Sequence, residues 1–391
     1  MPKRLVYLDN AATTAVRPEV LEAMLPFLGR EAFGNPSSAH RFGRAARAGI
    51  ETTKRAIAAA LGAEPNQVIF TSGGTEADNL AVIGAALASR DRKGPFRVAV
   101  SAVEHKAVLA AAHFVTHLGG EEIILPVSAS GVVETAALDE ALARGVGVVS
   151  VMWVNNEVGT MQPIPELAAR CRPHGVCFHS DGVQAFGKVP VSVRDSAISL
   201  LTISGHKIGA PKGIGALVVR DRRAIEAIIH GGGQQFGLRP GTENVPGIVA
   251  LGKAVELAAA EQAESARRMA ALRDDLERRL LAVVPDAVIN GWHADRAPHV
   301  SNVSIPGTDS EAMLMHLDLA GVACSSGSAC STGSVEPSHV LTALGVPREL
   351  GVAALRFSFG HDTSPEDVDA TIAVLPKVVE KVRALSAVLQ R

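Results

Sequence analysis

The stretch Val176-Cys177-Phe178-His179-Ser180-Asp181 runs apolar and then stops on an acid, and further along Ser204-Gly205-His206-Lys207 closes another apolar run on a base. Both have the composition of strands buried in a sheet that deliver their last residue to its edge. A lysine set among small residues and a histidine is a candidate Schiff-base amine, because burial lowers its pKa and frees the neutral nucleophile. An aspartate at the end of a buried strand is the counter-ion that a pyridinium nitrogen needs. Taken singly, a lysine is ordinarily a surface residue and such an aspartate a helix cap. Taken with the motifs below, the pair points to pyridoxal phosphate.

Outward from that pair, apolar runs alternate with helical patterns from about residue 65 to 230, the mark of a mainly parallel sheet covered on both faces. Strands are expected at 67–71, 97–101, 122–125, 147–153, 176–180, 200–203 and 215–219, with alanine-rich helices such as 75–88 and 105–118 between them. A long helical pattern from 246 to about 284 leaves one domain and enters another. A smaller α+β segment follows, with strands at 300–305 and 354–358 and helices at 310–319, 337–344 and 365–385. Residues 325–334, rich in Ser and Gly and without apolar period, read as a flexible loop. The expected division is a large cofactor-binding domain over 15–260 and a small domain made of 1–14 and 261–391. The fold class is therefore α/β, a large domain with a mainly parallel sheet plus a smaller α+β domain.

The composition fits an enzyme-sized globular protein, since 391 residues at 47% hydrophobic and 20% charged can bury a large core. Lysine plus arginine total 38 against 40 acidic residues, a net charge of -2 that leaves no electrostatic footprint for nucleic acid or an anionic membrane. The N-terminal apolar run is interrupted at Asp9, unlike a secretory signal, and no apolar stretch approaches the roughly 20 residues that span a bilayer. A cytoplasmic location is the expectation. The four cysteines, Cys171, Cys177, Cys324 and Cys330, are too few for a disulfide scaffold, and their spacing does not suit a structural zinc site.

Thr71-Ser72-Gly73-Gly74-Thr75-Glu76 follows a strand and opens a helix, a setting in which backbone N–H groups and the helix dipole hold a phosphate; the same composition also makes a helix cap. The Walker lysine is missing, which disfavours a nucleotide loop. His105, Asn155, Asn156 and Gln184 all fall just past carboxyl ends of expected strands, the edge of a doubly wound sheet that faces a ligand. An imidazole there can stack on a flat cofactor or move a proton.

In order along the chain, YLDNAATT (7–14), FGNPSSAH (33–40), TSGGTEADNLA (71–81), EHKAVL (104–109), VNNEVGT (154–160), HSDGVQAFGK (179–188), SGHKIGAPKGIGAL (204–217), RPGTENV (239–245), CSSGSACSTGSVEPSHVL (324–341) and RFSFG (356–360) resemble the motifs of the NifS/IscS-type cysteine desulfurases. The resemblance covers almost the whole chain. It implies the aspartate-aminotransferase-like pyridoxal-phosphate fold type I of the class V aminotransferase group, a homodimer.

By that resemblance Lys207 is the Schiff-base lysine, Asp181 the partner of the ring nitrogen, and His105 the ring-stacking residue. Gln184 and Asn156 address the phenolic oxygen side, and Gly74, Thr75, Ser204 and His206 the phosphate, with Thr242 reaching the phosphate of the neighbouring subunit. Asn35 and Arg356, with Asn156, anchor the substrate carboxylate, the arginine through its bidentate fork. Lys207 is the base, and Cys330 is the thiolate that takes sulfur from L-cysteine as a persulfide, leaving alanine. Cys330 lies inside the Ser/Gly loop, where it can reach both a buried cofactor and an outside acceptor, whereas Cys324 at the loop's start reads as a packed residue. No metal is implied in the isolated enzyme; a transient iron–sulfur ligand role for Cys330 with a partner remains open.

The loop length resembles the NifS/IscS-type group rather than the SufS-type group and implies activity with cysteine alone. The last expected helix ends close to Arg391, so docking through a longer tail is not expected. The implied acceptor is a protein such as an iron–sulfur scaffold, with thiouridine and DNA-sulfur systems as further users of the enzyme type. Selenocysteine lyase or another class V enzyme is the nearest alternative, and a sulfur-transfer assembly platform, presenting for example the charged helix face over 267–279, is the alternative of a different class.

Overall fold

The computed structural model describes residues 4–326 and 336–389, so Cys330 and most of the Ser/Gly loop lie outside the described residues. The central sheet has seven strands: β2 (Val68–Thr71), β3 (Arg97–Ser101), β4 (Glu121–Leu125), β5 (Val148–Ser150), β6 (Cys177–Asp181), β7 (Leu200–Ser204) and β8 (Gly215–Val219). β1 (Val6–Tyr7) precedes them and lies elsewhere. The order is β2-β8-β7-β6-β5-β3-β4, parallel from β7 through β6, β5 and β3 to β4. β8 runs antiparallel to both neighbours, so β2 again points the same way as β7. The carboxyl ends of β2, β3, β5, β6 and β7 therefore share one edge.

The sequence explains the arrangement. β7 and β8 are buried at every residue, as the Leu/Ile/Val runs of strands covered on both faces must be. The edge strand β4 instead begins with two glutamates, and Glu121 is paired with Arg97 at 2.5 Å, a charged edge that discourages further pairing. Helices α1 (Pro18–Leu28), α2 (Arg41–Leu61), α3 (Gly74–Asp91), α4 (Lys106–His117), α5 (Thr135–Ala143) and α6 (Ile164–Cys171) belong to the same part of the chain. α2 is capped by His40, whose Nδ1 accepts from Gly43 N, and ends on Gly62 in the left-handed region at φ 65°, where a side chain would be strained.

Helix α7 (Val245–Val283) joins two cores. Val245, Ile248, Leu251 and Val255 pack into the core under the large sheet, whereas Met269, Leu272, Leu276 and Leu280 pack into a second cluster with Val303, Leu355 and Phe357. That second region holds the antiparallel sheet β12-β10-β9, formed by β9 (Val288–Ile289), β10 (Val300–Ser304) and β12 (Ala354–Ser358), and the pair of β1 with β11 (Val322–Ala323). Helices α8 (Ser310–Leu319), α10 (Arg348–Gly351) and α11 (Pro365–Leu389) complete it, whereas α9 (His339–Ala343) sends Val340 and Leu341 into the core under the large sheet.

Candidate active site

Five turns leave the shared carboxyl edge, and a cavity of about 410 Å³ opens among them. After β7 the chain makes a short 3₁₀ turn over Gly205–Lys207, which puts the Lys207 side chain into the cavity. Its Nζ donates to the carbonyls of Ala11 at 2.7 Å and Ala12 at 2.6 Å. Thr14 fastens the same turn from outside, its N–H donating to His206 O at 2.9 Å and its hydroxyl accepting from Gly209 N at 3.0 Å. Burial, and then the charge of Arg356, lower the Lys207 amine to about 8. An amine of that basicity is available as a nucleophile near neutral pH.

Asp181 ends β6 on the cavity wall, buried, with Oδ1 accepting from Val183 N at 2.8 Å. Burial raises its carboxyl above the usual range, and the nearby His105 and Lys207 charges pull it back down. Beneath it, His179 is clamped between Ser150 Oγ at 2.8 Å and Thr202 Oγ1 at 3.0 Å and is lowered to about 3 by burial, so it stays neutral. Two further buried acids interact with Asp181. Asp78, on α3 and lining the cavity, and Glu104, just past β3, are both raised well above the usual range by burial, and the Asp181 charge adds to the shift in each. Glu104 Oε1 accepts from Met152 N at 2.6 Å. Asp181 alone of the three has the His105 and Lys207 charges acting to favour its ionised form, and it is the acid best placed to face a buried cation.

The opposite end of the cavity suits a phosphate. Helix α3 starts at Gly74 with no side chain capping it, so its first N–H groups point toward the cavity lined by Gly74, Thr75, Ser204 and His206. Ser204 Oγ is buried without a hydrogen-bond partner, an orphaned donor aimed at this space. A Cβ at Gly74 would come 3.1 Å from Val183 and 3.6 Å from the Ser204 Cβ, intruding on the same space. Glu76, beside the turn, is held by Ser72 N at 2.8 Å and by Arg239 Nε at 2.9 Å. His206 is lowered to about 4 by burial and by lysine charges, so it offers a neutral ring. Pyridoxal phosphate fits this donor set: an amine, a counter-ion and a phosphate cradle along one cavity.

His105 caps α4, Nδ1 accepting from Ala107 N at 3.1 Å, and also lines the cavity, so the capping role and the ligand-facing role coexist. Gln184 donates to Ala11 O at 2.8 Å and its Oε1 lies 3.0 Å from His299 Nε2. Arg356, on β12, reaches the cavity from the second region, with Nη2 donating to Asp9 Oδ1 at 2.8 Å and Nη1 to Asn156 O at 3.0 Å. Its Nε is buried and unpartnered. Both stems of the Ser/Gly loop attach here: Ser325 pairs with Arg356 through two backbone hydrogen bonds, and Ser338 Oγ donates to Glu157 Oε2, a carboxyl raised to about 7 by burial.

The remaining expected residues lie apart. Asn35 is exposed, its Oδ1 accepting from Ser37 N at 2.9 Å, and Thr242 is exposed near the start of α7; neither lines the cavity of its own chain. Cys324 is partly buried against the second core and its thiol is pushed up to about 12 by desolvation. Cys171 and Cys177, buried at the end of α6 and the start of β6, are likewise pushed up to about 12. Sequence reasoning missed Asp9, Asp78, Glu104, Glu157 and His299. Asp9, Asp78, Glu104 and Glu157 stand inside quoted motifs, but a polar residue on a helix or in a turn carries no signal of burial until the sheet beneath it is known.

A sheet that presents a lysine and an aspartate at its carboxyl edge, over an uncapped helix start, defines a pyridoxal-phosphate enzyme of fold type I. Residues 6–371 match aminotransferase class-V, and the chain belongs to that family. Among similar proteins, cysteine desulfurase IscS of Dictyoglomus turgidum is 46% identical over 384 residues, covering 98% of this chain and 97% of that one. Cysteine desulfurase IscS of Methanosarcina thermophila is 45% identical over 383 residues, covering 98% and 94%. A solved NifS-like protein superposes with a TM-score of 0.89 at 34% identity, covering 96% of this chain and 100% of that one.

Proposed function

We propose that the protein is a pyridoxal-phosphate-dependent cysteine desulfurase of the NifS/IscS type, converting L-cysteine and a cysteine thiol to L-alanine and a persulfide. The observation that carries the reading is the grouping of the Lys207 amine, the Asp181 carboxylate and the unpaired Nε edge of Arg356 around one cavity.

Bound there, pyridoxal phosphate supplies an electron sink for the carbanion left when a substrate Cα proton departs. Lys207 would hold the cofactor covalently and, once the amine of the substrate has displaced it, its freed amine, lowered to about 8 by burial, would take up that proton. Asp181 keeps the proton on the ring nitrogen. His105 stacks on the ring, Asn156 and Gln184 orient its oxygen side, and Gly74, Thr75, Ser204 and His206 hold the phosphate, joined by Thr242 from a second copy of the chain. Arg356 and Asn35, with Asn156, anchor the carboxylate of cysteine. The Cys330 thiolate attacks the substrate sulfur; the carbon–sulfur bond breaks, its electron pair stays on carbon and is protonated, and Cys330 retains the sulfur as a persulfide.

The proposal extends to a homodimer, to a sulfur-acceptor protein such as an iron–sulfur scaffold, and to the cytoplasm. It keeps the division into a cofactor-binding domain over 15–260 and a small domain of 1–14 and 261–391. Among the described residues no helix is long and apolar enough to cross a membrane.

The test is to mix the purified, cofactor-loaded protein with L-cysteine and a thiol reductant and measure sulfide and alanine. Equal yields of both, lost in Cys330→Ala while the cofactor absorbance persists, are expected. Loaded protein that forms neither product refutes the reading.

A further inference from the structure

Lys188 closes the segment that begins at Asp181, and nothing in the chemistry above uses it. The segment is tightly wound: Phe186 N and Ala185 N both donate to Gly182 O, and Lys188 N donates to Ala185 O at 3.0 Å. Gly187 takes φ 76°, and a Cβ there would lie 3.0 Å from Ala258, so the turn is held against α7. Gln262 on that helix donates to Lys188 O at 2.9 Å. The lysine side chain thus leaves a rigid base.

It is only 9% exposed. Among the described residues no carboxylate stands within ion-pair distance of it. On the cavity that Lys188 and Lys207 share, the acid Glu261 is taken by Arg17 at 2.6 Å. A buried amine without a counter-charge is costly to keep unless it makes a needed contact. Its contact is specific: Nζ donates to the main-chain carbonyl of Lys207 at 2.6 Å.

We infer that Lys188 is a positioning residue for Lys207. Its amine ties the turn that carries Lys207 to the segment that carries Asp181 and Gln184, fixing the separation between the amine that bears the cofactor and the carboxylate that faces it. The inference rests on the proposed role of Lys207. Burial and the Lys207 charge lower the Lys188 amine to about 7, which favours its neutral form. A neutral amine still donates to the carbonyl and sets no second positive charge beside Lys207.

The experiment compares parent, Lys188→Met and Lys188→Arg, each loaded with pyridoxal phosphate, by cofactor release on dilution and by the visible circular dichroism of the bound cofactor. Losing the hydrogen bond is expected to speed release by about tenfold in Lys188→Met and to weaken the visible band. Lys188→Arg, which keeps a donor, is expected to recover both toward the parent. Parent-like release and dichroism in Lys188→Met overturn the inference, whatever happens to the melting temperature. Should Lys188→Met not fold, Lys188→Gln is read in its place: its amide is one atom short of the carbonyl, so the same loosening is expected and parent-like behaviour overturns the inference. A parent that binds no cofactor, or makes no alanine from cysteine, refutes the proposed function instead.

Discussion

Replacing Arg356 by lysine keeps a positive charge in the cavity and removes the guanidinium fork. The parent side chain is 6% exposed and spends one N–H on Asp9 and one on Asn156 O, leaving the buried Nε–H without a partner. A buried donor left unpaired costs about 1–3 kcal/mol, which a substrate carboxylate lying along that edge gives back. Lysine has three donors, and keeping the contacts to Asp9 and Asn156 leaves one for substrate, so a paired contact becomes a single one. The loss of one charge-assisted hydrogen bond, about 1.5–3 kcal/mol, corresponds to a rise in KM of roughly 10- to 150-fold. The Arg356 charge also helps to lower the Lys207 amine; retaining a positive charge leaves that amine near its present value of about 8, and kcat is expected to change only a few-fold. Initial rates of alanine formation against cysteine concentration give the two constants. Binding of L-alanine and L-alaninamide, followed by the cofactor absorbance, separates the carboxylate contact from general damage. Affinity for alanine is expected to fall with KM while affinity for alaninamide moves less than about threefold. Equal weakening of both ligands, or an unchanged KM, refutes the assignment of Arg356 as carboxylate anchor.

Asp181→Asn removes the buried carboxylate, and alanine formation is expected to fall by about 100-fold or more with the cofactor retained; the Lys207 amine, which the Asp181 charge raises, is expected to move below about 8. In the cofactor-free protein Lys207 is lowered from 10.5 to about 8, so between those values the unfolded chain binds more protons and stability rises with pH, by about 3 kcal/mol for this group, while below pH 8 both states are protonated and the penalty is fully felt. Melting temperatures of the cofactor-free parent from about pH 8 to 10 should therefore climb more steeply than those of Lys207→Met, and parallel slopes contradict the burial of that amine. Thiols held at about 12 are poor nucleophiles, so Ellman's reagent at pH 8 should leave Cys171, Cys177 and Cys324 unmodified in native protein and find all four cysteines after denaturation. Rapid native labelling that survives Cys330→Ala would show that one of those three is accessible and reactive.

Much of the fold was readable because its strands are short, apolar and separated by helical patterns. The strands at 97–101, 215–219 and 354–358 begin and end where the alternation said they would. The run at 147–153 did not: the strand is only Val148–Ser150. Val151 N and Trp153 N still donate to β6 carbonyls, but β3 has ended at Ser101, so the apolar chain continues without a second ladder partner. An apolar run cannot distinguish a strand from a buried exit. In the site, Lys207 and Asp181 were legible because a charged residue closing a buried run needs a chemical reason. Asp78 was not, because three residues either side of it read as an ordinary helix start and its burial comes from β6 and β7 packed against α3. Lys188 stood in a quoted motif and carried no signal, since its partner is a backbone carbonyl. Nor does sequence reveal that Asn35 sits outside the cavity of its own chain.

The cavity is assembled from both extremes of the polypeptide. Ala11 and Ala12 hold the Lys207 amine, and their segment is itself held by β12, through Ser358 N donating to Leu8 O at 2.7 Å and Ser358 Oγ accepting from Ala11 N at 2.8 Å. Arg356 comes from the same strand. During synthesis the central sheet can therefore form on the ribosome while its first residues wait for a strand not yet translated. A ribosome-bound chain halted before Ala354 would carry the lysine and the aspartate but lack the fastening over them, so tight capture of the cofactor belongs to a chain in which β12 is in place.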